Sequence, residues 1–187
     1  MKTMMLKTIM PYFNAGLLCT LLTLLGGCAT QIDPGLYANE KPQLNLQTYF
    51  NGTLDAWGIF QDRSGKVVKR FTVVMQCHWE GDVGTLDEDF TYADGTKQKR
   101  VWTLRKTAPG VFIGTAPDVV GEARGTVSGN ALHWNYVLAL PVDGTIYHVD
   151  FSDWMFLMDD RVMLNRAAMS KYGFGLGEVT LSFTKRP

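Results

Sequence analysis

The chain has no surplus charge of either sign. Its 18 Lys and Arg balance 18 Asp and Glu, and no basic stripe or run of five like charges occurs, so nucleic acid is not an expected partner. Histidine is scarce. The three, His78, His133 and His148, lack metal-ligand spacing and fall on faces read as outward, so no metal site is expected. No Gly-x-Ser-x-Gly elbow, phosphate-binding loop or dinucleotide fingerprint is present, and no cofactor is expected. Apolar residues make up 46% of the 187, enough for one sizeable core, and nothing marks a second folded domain.

The N-terminus is a separate matter. Met1 to Gly27 has Lys2 and Lys7 as its only charges, then a short apolar stretch, Ala15 to Leu25, and ends in Leu25-Gly26-Gly27-Cys28. A short positive region, a short apolar region and small residues before a cut predict a secretory signal over residues 1–27, too short for an ordinary membrane span. Leu-Gly-Gly-Cys resembles the lipobox of bacterial lipoproteins. That resemblance implies cleavage before Cys28 and a lipid on its thiol, hence a membrane partner through the N-terminal lipid. With Ala rather than Asp at position 29, it implies the periplasmic face of the outer membrane of a Gram-negative cell. Several acyl chains on one residue meet the two-signal requirement for stable anchoring. Cys19 then leaves with the signal and Cys28 is acylated, so Cys77 has no disulfide partner. It alternates with Phe71, Val73, Met75 and Trp79 and reads as a buried core thiol.

Residues 28–50 read as the lipidated cysteine and a tether, extended through Leu46 because Pro34, Gly35, Asn39 and Pro42 interrupt any periodicity. Leu44 to Phe50 reads as a short helix or a lid across one end of the domain. From 51 to 187 the pattern is strand and turn. Strands from Thr53–Gln61 to Val179–Lys185 alternate with turns such as Asp62-Arg-Ser-Gly65, Ala93-Asp-Gly95, Ser128-Gly-Asn130 and Val142-Asp-Gly144. Gly or Asn supplies the left-handed residue in each, or Asp caps its own backbone. Repeats at this spacing predict an all-β, up-and-down antiparallel meander closed into a barrel. About eight strands already leave room for one small ligand. Asp160 to Lys171 fits a strand and a helix alike; the barrel's need for a partner favours the strand, with Val162, Leu164, Arg166 and Ala168 on one face. Gly at every second position of Tyr172-Gly-Phe-Gly-Leu-Gly177 permits a tight corner.

Two hairpins place the candidate site. A turn at Ala93-Asp94-Gly95 sets Leu86 opposite Trp102, Glu88 opposite Arg100 and Phe90 opposite Gln98. The face shared by Leu86, Glu88, Phe90, Tyr92, Arg100, Trp102 and Leu104 carries the aromatics and reads as inward, while Asp87, Asp89, Lys97 and Lys99 face out. The turn at Val142 to Thr145 sets Leu140 opposite Tyr147, Leu138 opposite Val149, Tyr136 opposite Phe151 and Trp134 opposite Asp153. Glu88, Arg100 and Asp153 are then inward polar groups, and Arg166 is a fourth if its strand faces in. Such a cluster is either a self-satisfied network that pins the barrel or a site where an Arg fork holds the acidic head of an apolar ligand lying against Trp57, Trp102 and Trp134. The acids compete with that ligand for the Arg. Glu88 and Asp153 could also act as acid and base, but the opposed Arg100 is expected to keep Glu88 ionised.

Asn51-Gly52, Trp57-Gly58, the run Gly84 to Gly95, Arg100-Val-Trp102, Asp118-Val-Val-Gly121, Gly129 to Trp134, Asp153-Trp-Met155 and Asn165-Arg-Ala167 resemble the bacterial lipoprotein family catalogued as domain of unknown function 3833. That resemblance implies an envelope lipoprotein and no particular reaction. Ser152 stands where the family pattern has a second Asp, which removes a paired-carboxylate role there and leaves Asp153. The barrel also resembles the lipocalin and fatty-acid-binding architecture. Three functions stay open: a lipid-anchored carrier binding or shuttling a fatty acid or other acyl lipid, an enzyme acting on such a lipid through Glu88, Arg100 and Asp153, or a structural module with a filled core. A lumen lined by Trp and Met favours the first, a solvent-reachable acid cluster the second, and a packed interior the third.

Overall fold

The computed structural model describes residues 32–187. The expected signal segment and Cys28 lie outside the described residues. Asp33 to Pro187 forms one compact unit whose ten strands run in chain order around a closed antiparallel barrel. They are β1 (Gly52–Asp62), β2 (Val67–Glu80), β3 (Val83–Tyr92), β4 (Lys97–Ala108), β5 (Val111–Thr115), β6 (Ala123–Ser128), β7 (Ala131–Val142), β8 (Thr145–Leu157), β9 (Val162–Lys171) and β10 (Phe174–Lys185). β1 closes on β10 from Leu54↔Lys185 to Asp62↔Gly177. Both edges of the meander are thereby paired, as an exposed strand edge demands.

The turn residues fix the registers. Gly95 takes φ +84° and Tyr92 donates its N–H to the Thr96 carbonyl at 2.9 Å, giving the expected Glu88↔Arg100 pairing. Asp143 and Gly144 both have positive φ, 48° and 79°, a two-residue turn that yields the expected Trp134↔Asp153 register. The ambiguous stretch is strand β9. Its turn is held by Asp159, whose Oδ1 accepts from the N–H groups of Arg161 and Val162 at 2.8 and 2.7 Å. The last strand begins at Phe174 rather than Val179, with an irregularity between Gly175 and Gly177 where the glycines allow the chain to bend.

One end of the barrel is plugged. The helix α1 (Leu46–Tyr49), capped by the Asn45 side chain, buries Leu46, Tyr49 and Phe50. Trp79 donates its indole N–H to the Phe50 carbonyl at 2.7 Å, the Tyr49 hydroxyl to the Arg161 carbonyl at 3.1 Å, and Gln47 its amide N–H to the Gly81 carbonyl at 2.8 Å. These partners lie on β2 and on the β2–β3 and β8–β9 turns, so Leu44 to Phe50 is a lid, as the sequence suggests. The stretch before it is less extended than its composition implies. Pro34–Tyr37 forms a 3₁₀ turn, and Tyr37 packs on the outward rings of Trp154 and Phe156, at 5.6 and 5.2 Å between centroids.

The core lines the barrel near the plug. Leu54, Met75 and Met163 are fully enclosed there, and Cys77 is a buried free thiol, its pKa pushed up to about 12 by burial. Among the described residues, the unit Asp33–Pro187 thus carries every paired strand and both apolar clusters.

Candidate ligand site

Alternation along β3, β4, β7 and β8 delivers Glu88, Arg100, Trp102, Trp134, Tyr136, Phe151 and Asp153 to one lumen. They line a cavity of about 880 Å³ that runs from Leu46 and Phe50 at the plug to Val142 and Asp143 at the opposite end. Met75, Met155 and Met169 line it too, so the interior is not the filled core of the structural-module reading. Its width depends on glycine. A Cβ on Gly125 or Gly114 would overlap the Trp134 indole; the ring therefore lies against the backbone of β6 and β5 instead of across the lumen. Trp102 meets Trp134 edge-on at 5.9 Å and Tyr136 at 5.5 Å, and Tyr136 stacks on Phe151 at 4.9 Å. These rings form a continuous aromatic wall.

The polar groups form a belt partway down that wall. Arg100 turns its fork to Asp118, with Nε at 3.1 and 3.0 Å from the two carboxylate oxygens and the second guanidinium nitrogen at 2.7 Å. Glu88, although directly opposite in register, is 4.0 Å from the nearest guanidinium nitrogen. Asp118 reaches this position because β5 and β6 are short. β4 pairs with β5 only from Thr103 onward, and β6 pairs with β7 only as far as Asn135. The 116–122 connection fills the gap in the wall, with Val120 donating its N–H to the Val137 carbonyl at 2.9 Å and Ala139 its own to the Asp118 carbonyl at 2.8 Å.

The expectation that Arg100 keeps Glu88 ionised is therefore corrected. Burial raises the Glu88 pKa to about 7; Arg100 offsets part of the rise and the charges of Asp118, Asp153 and Asp87 add to it. Burial raises Asp153 to about 7 as well, against a hydrogen bond from the Asn165 amide. The same burial, with Asp153 adding, pushes the Tyr136 phenol well up.

Two predicted site residues are elsewhere. Trp57 is 54% exposed, because the inward positions of β1 are Leu54, Ala56, Gly58 and Phe60. Arg166 points out and pairs with Glu178, Nε to Oε2 at 2.6 Å. Both alternating sets of β9 are largely apolar, and the buried one is Met163, Asn165, Ala167 and Met169. Sequence reasoning missed Asn165 and Asp118. An amide alone among Met163, Ala167 and Met169 is a signal that could have found the first; no local pattern marks the second. His133 lies on the outer face but is buried, stacked on Trp154 at 4.1 Å and 2.9 Å from the Ser152 hydroxyl. Among the described residues, no three His, Cys, Asp or Glu gather as metal ligands.

Fold and lumen define a closed ten-stranded barrel with an aromatic-walled internal cavity and an acidic belt. The family described as Protein of unknown function (DUF3833) matches residues 22–185, and the chain belongs to it. A protein of unknown function from the DUF3598 family of Nostoc punctiforme PCC 73102 has a similar fold, with TM-score 0.54 at 8% identity over 79% of this chain and 51% of that one. This chain thus spans about half that protein's length. The S-type phycobiliprotein lyase CPES of Guillardia theta is similar with TM-score 0.53 at 6% identity, over 73% of this chain and 88% of that one. At such identities the likeness is one of fold. No curated protein matches the chain.

Proposed function

We propose that this protein is a lipid-anchored binding protein of the bacterial envelope that takes one amphiphilic, mainly apolar molecule, such as an acyl lipid, into its barrel. The observation that carries the reading is the cavity of about 880 Å³, of the size and composition typical of small-molecule sites, apolar walls with a few convergent polar groups. A barrel kept for stability alone would fill that space, since voids destabilise a core in proportion to their volume. Anchoring through Cys28, on the periplasmic face of the outer membrane, is supported by the Lys2, Lys7 and Leu25-Gly-Gly-Cys28 pattern.

Native mass spectrometry of Ala29 to Pro187, purified from a Gram-negative host and then denatured, tests the binding. A stoichiometric amphiphile released on unfolding supports it; an empty protein that takes up nothing from a host lipid extract overturns it. Labelling with a palmitate analogue tests the anchor, with label expected on the full chain and lost in Cys28→Ser. A second reading rests on the raised pKa values of Glu88 and Asp153, which would suit general acid–base work on the bound molecule. Under that reading the lipid extract is chemically altered by the protein and left unaltered by Glu88→Gln.

A further inference from the structure

We propose that the belt within the lumen is a site for an organic cation, the ammonium head of an amphiphile, held between Glu88 and Asp153 and against the rings of Trp102, Trp134 and Tyr136. This rests on the reading that the cavity binds an amphiphile and says which kind.

Charge is the first ground. The Arg100 fork is spent on Asp118, so those two cancel, and the belt is left with two carboxyls. The lysines that line the lumen, Lys69 and Lys171, lie at the mouth, their Nζ atoms over the rings of Tyr92 and Tyr147 at 5.4 and 5.5 Å. An anionic head in the belt would face Glu88 and Asp153 and would have to displace Asp118 from Arg100.

Unmet acceptors are the second ground. Glu88 has no charged nitrogen closer than the 4.0 Å of Arg100. Asn165 is 3% exposed, lines the cavity beside Asp153, and its Oδ1 has no partner. Buried acceptors without donors are costly and fit a donor brought by a ligand.

The wall is the third. Trp102 lies within 6 Å of both Trp134 and Tyr136, and aromatic faces flanked by carboxylates are the recurring way proteins hold ammonium groups. With the cation in place, both carboxyls are stabilised in their ionised form.

The test is calorimetric titration of Ala29 to Pro187 at pH 8 with dodecylammonium, dodecanol and dodecanoate, each below its micelle or solubility limit. These share a chain and differ in head charge. The ammonium is expected to bind more tightly than either other probe by on the order of ten-fold, and the double variant Glu88→Gln/Asp153→Asn to lose that advantage. Should the double variant fail to fold by circular dichroism, Glu88→Gln alone is expected to lose part of it. Equal binding of all three, or a preference for dodecanoate, overturns the cation site while leaving the carrier reading intact. Binding of none overturns both.

Discussion

Glu88 and Asp153 are carboxyls that an unfolded chain ionises near 4.5 and 3.8, whereas burial in the barrel lifts both to about 7. Between these limits the folded protein holds protons that the unfolded chain has released. Stability therefore falls as pH rises from about 4 to 7 and levels off above, by on the order of 3 kcal/mol per carboxyl. Glu88→Gln removes one such penalty. Its melting temperature is expected to exceed that of the parent at pH 8 and to converge on it at pH 5, in melts recorded across that range; a gap independent of pH would refute the assignment. Asp118→Asn removes the partner of the Arg100 fork and leaves that mostly buried guanidinium with only Glu88, at 4.0 Å, which is expected to cost about 3 kcal/mol in urea unfolding. The freed fork is then expected to bind dodecanoate more tightly than the parent does.

At the scale of the element, three pieces make the container. Strands β3, β4, β7 and β8 bring the belt together, the 116–122 connection stitches the wall between β4 and β7, and α1 stops the end. Phe50 carries much of the stopper: it is 3% exposed and meets Tyr49 and Phe183 edge-on at 5.1 and 6.0 Å. Phe50→Ala is expected to lower stability by about 3 to 5 kcal/mol, read in denaturant melts, and to let the lumen open at its second end. Accelerated hydrogen exchange of the β1 and β10 amides near Leu54 and Phe183 would report that opening, and unchanged exchange would contradict it.

For the molecule as a whole, closure separates an aromatic-walled lumen from an outer surface. Trp57→Ser and Arg166→Ala lie on the outer surface, and both are expected to shift stability by no more than about 1 kcal/mol and to leave ligand affinity unchanged in the same titrations. Trp102→Ala, in the lumen, is expected to weaken binding of all three alkyl probes. A loss of affinity in Trp57→Ser would mean that ligands are met on the outer wall instead.

The sequence by itself determined most of the strands, the turns and two hairpin registers, because each rests on contacts between near neighbours. Asp94-Gly95 and Asp143-Gly144 set the crossing points, and the period of two did the rest, so Glu88, Arg100, Trp102, Trp134 and Asp153 were legible as one inward face. Tertiary structure decided what those residues do. Asp118 is eighteen positions from Arg100 along the chain and reaches it only because β5 and β6 are short, a fact of closure around the whole ring. The face of β9 was undecidable locally because both of its faces are apolar, and pairing between β8 and β10 chose Asn165 over Arg166. The open lumen is likewise a property of ten strands closed in a ring, a non-local constraint that no window of residues contains.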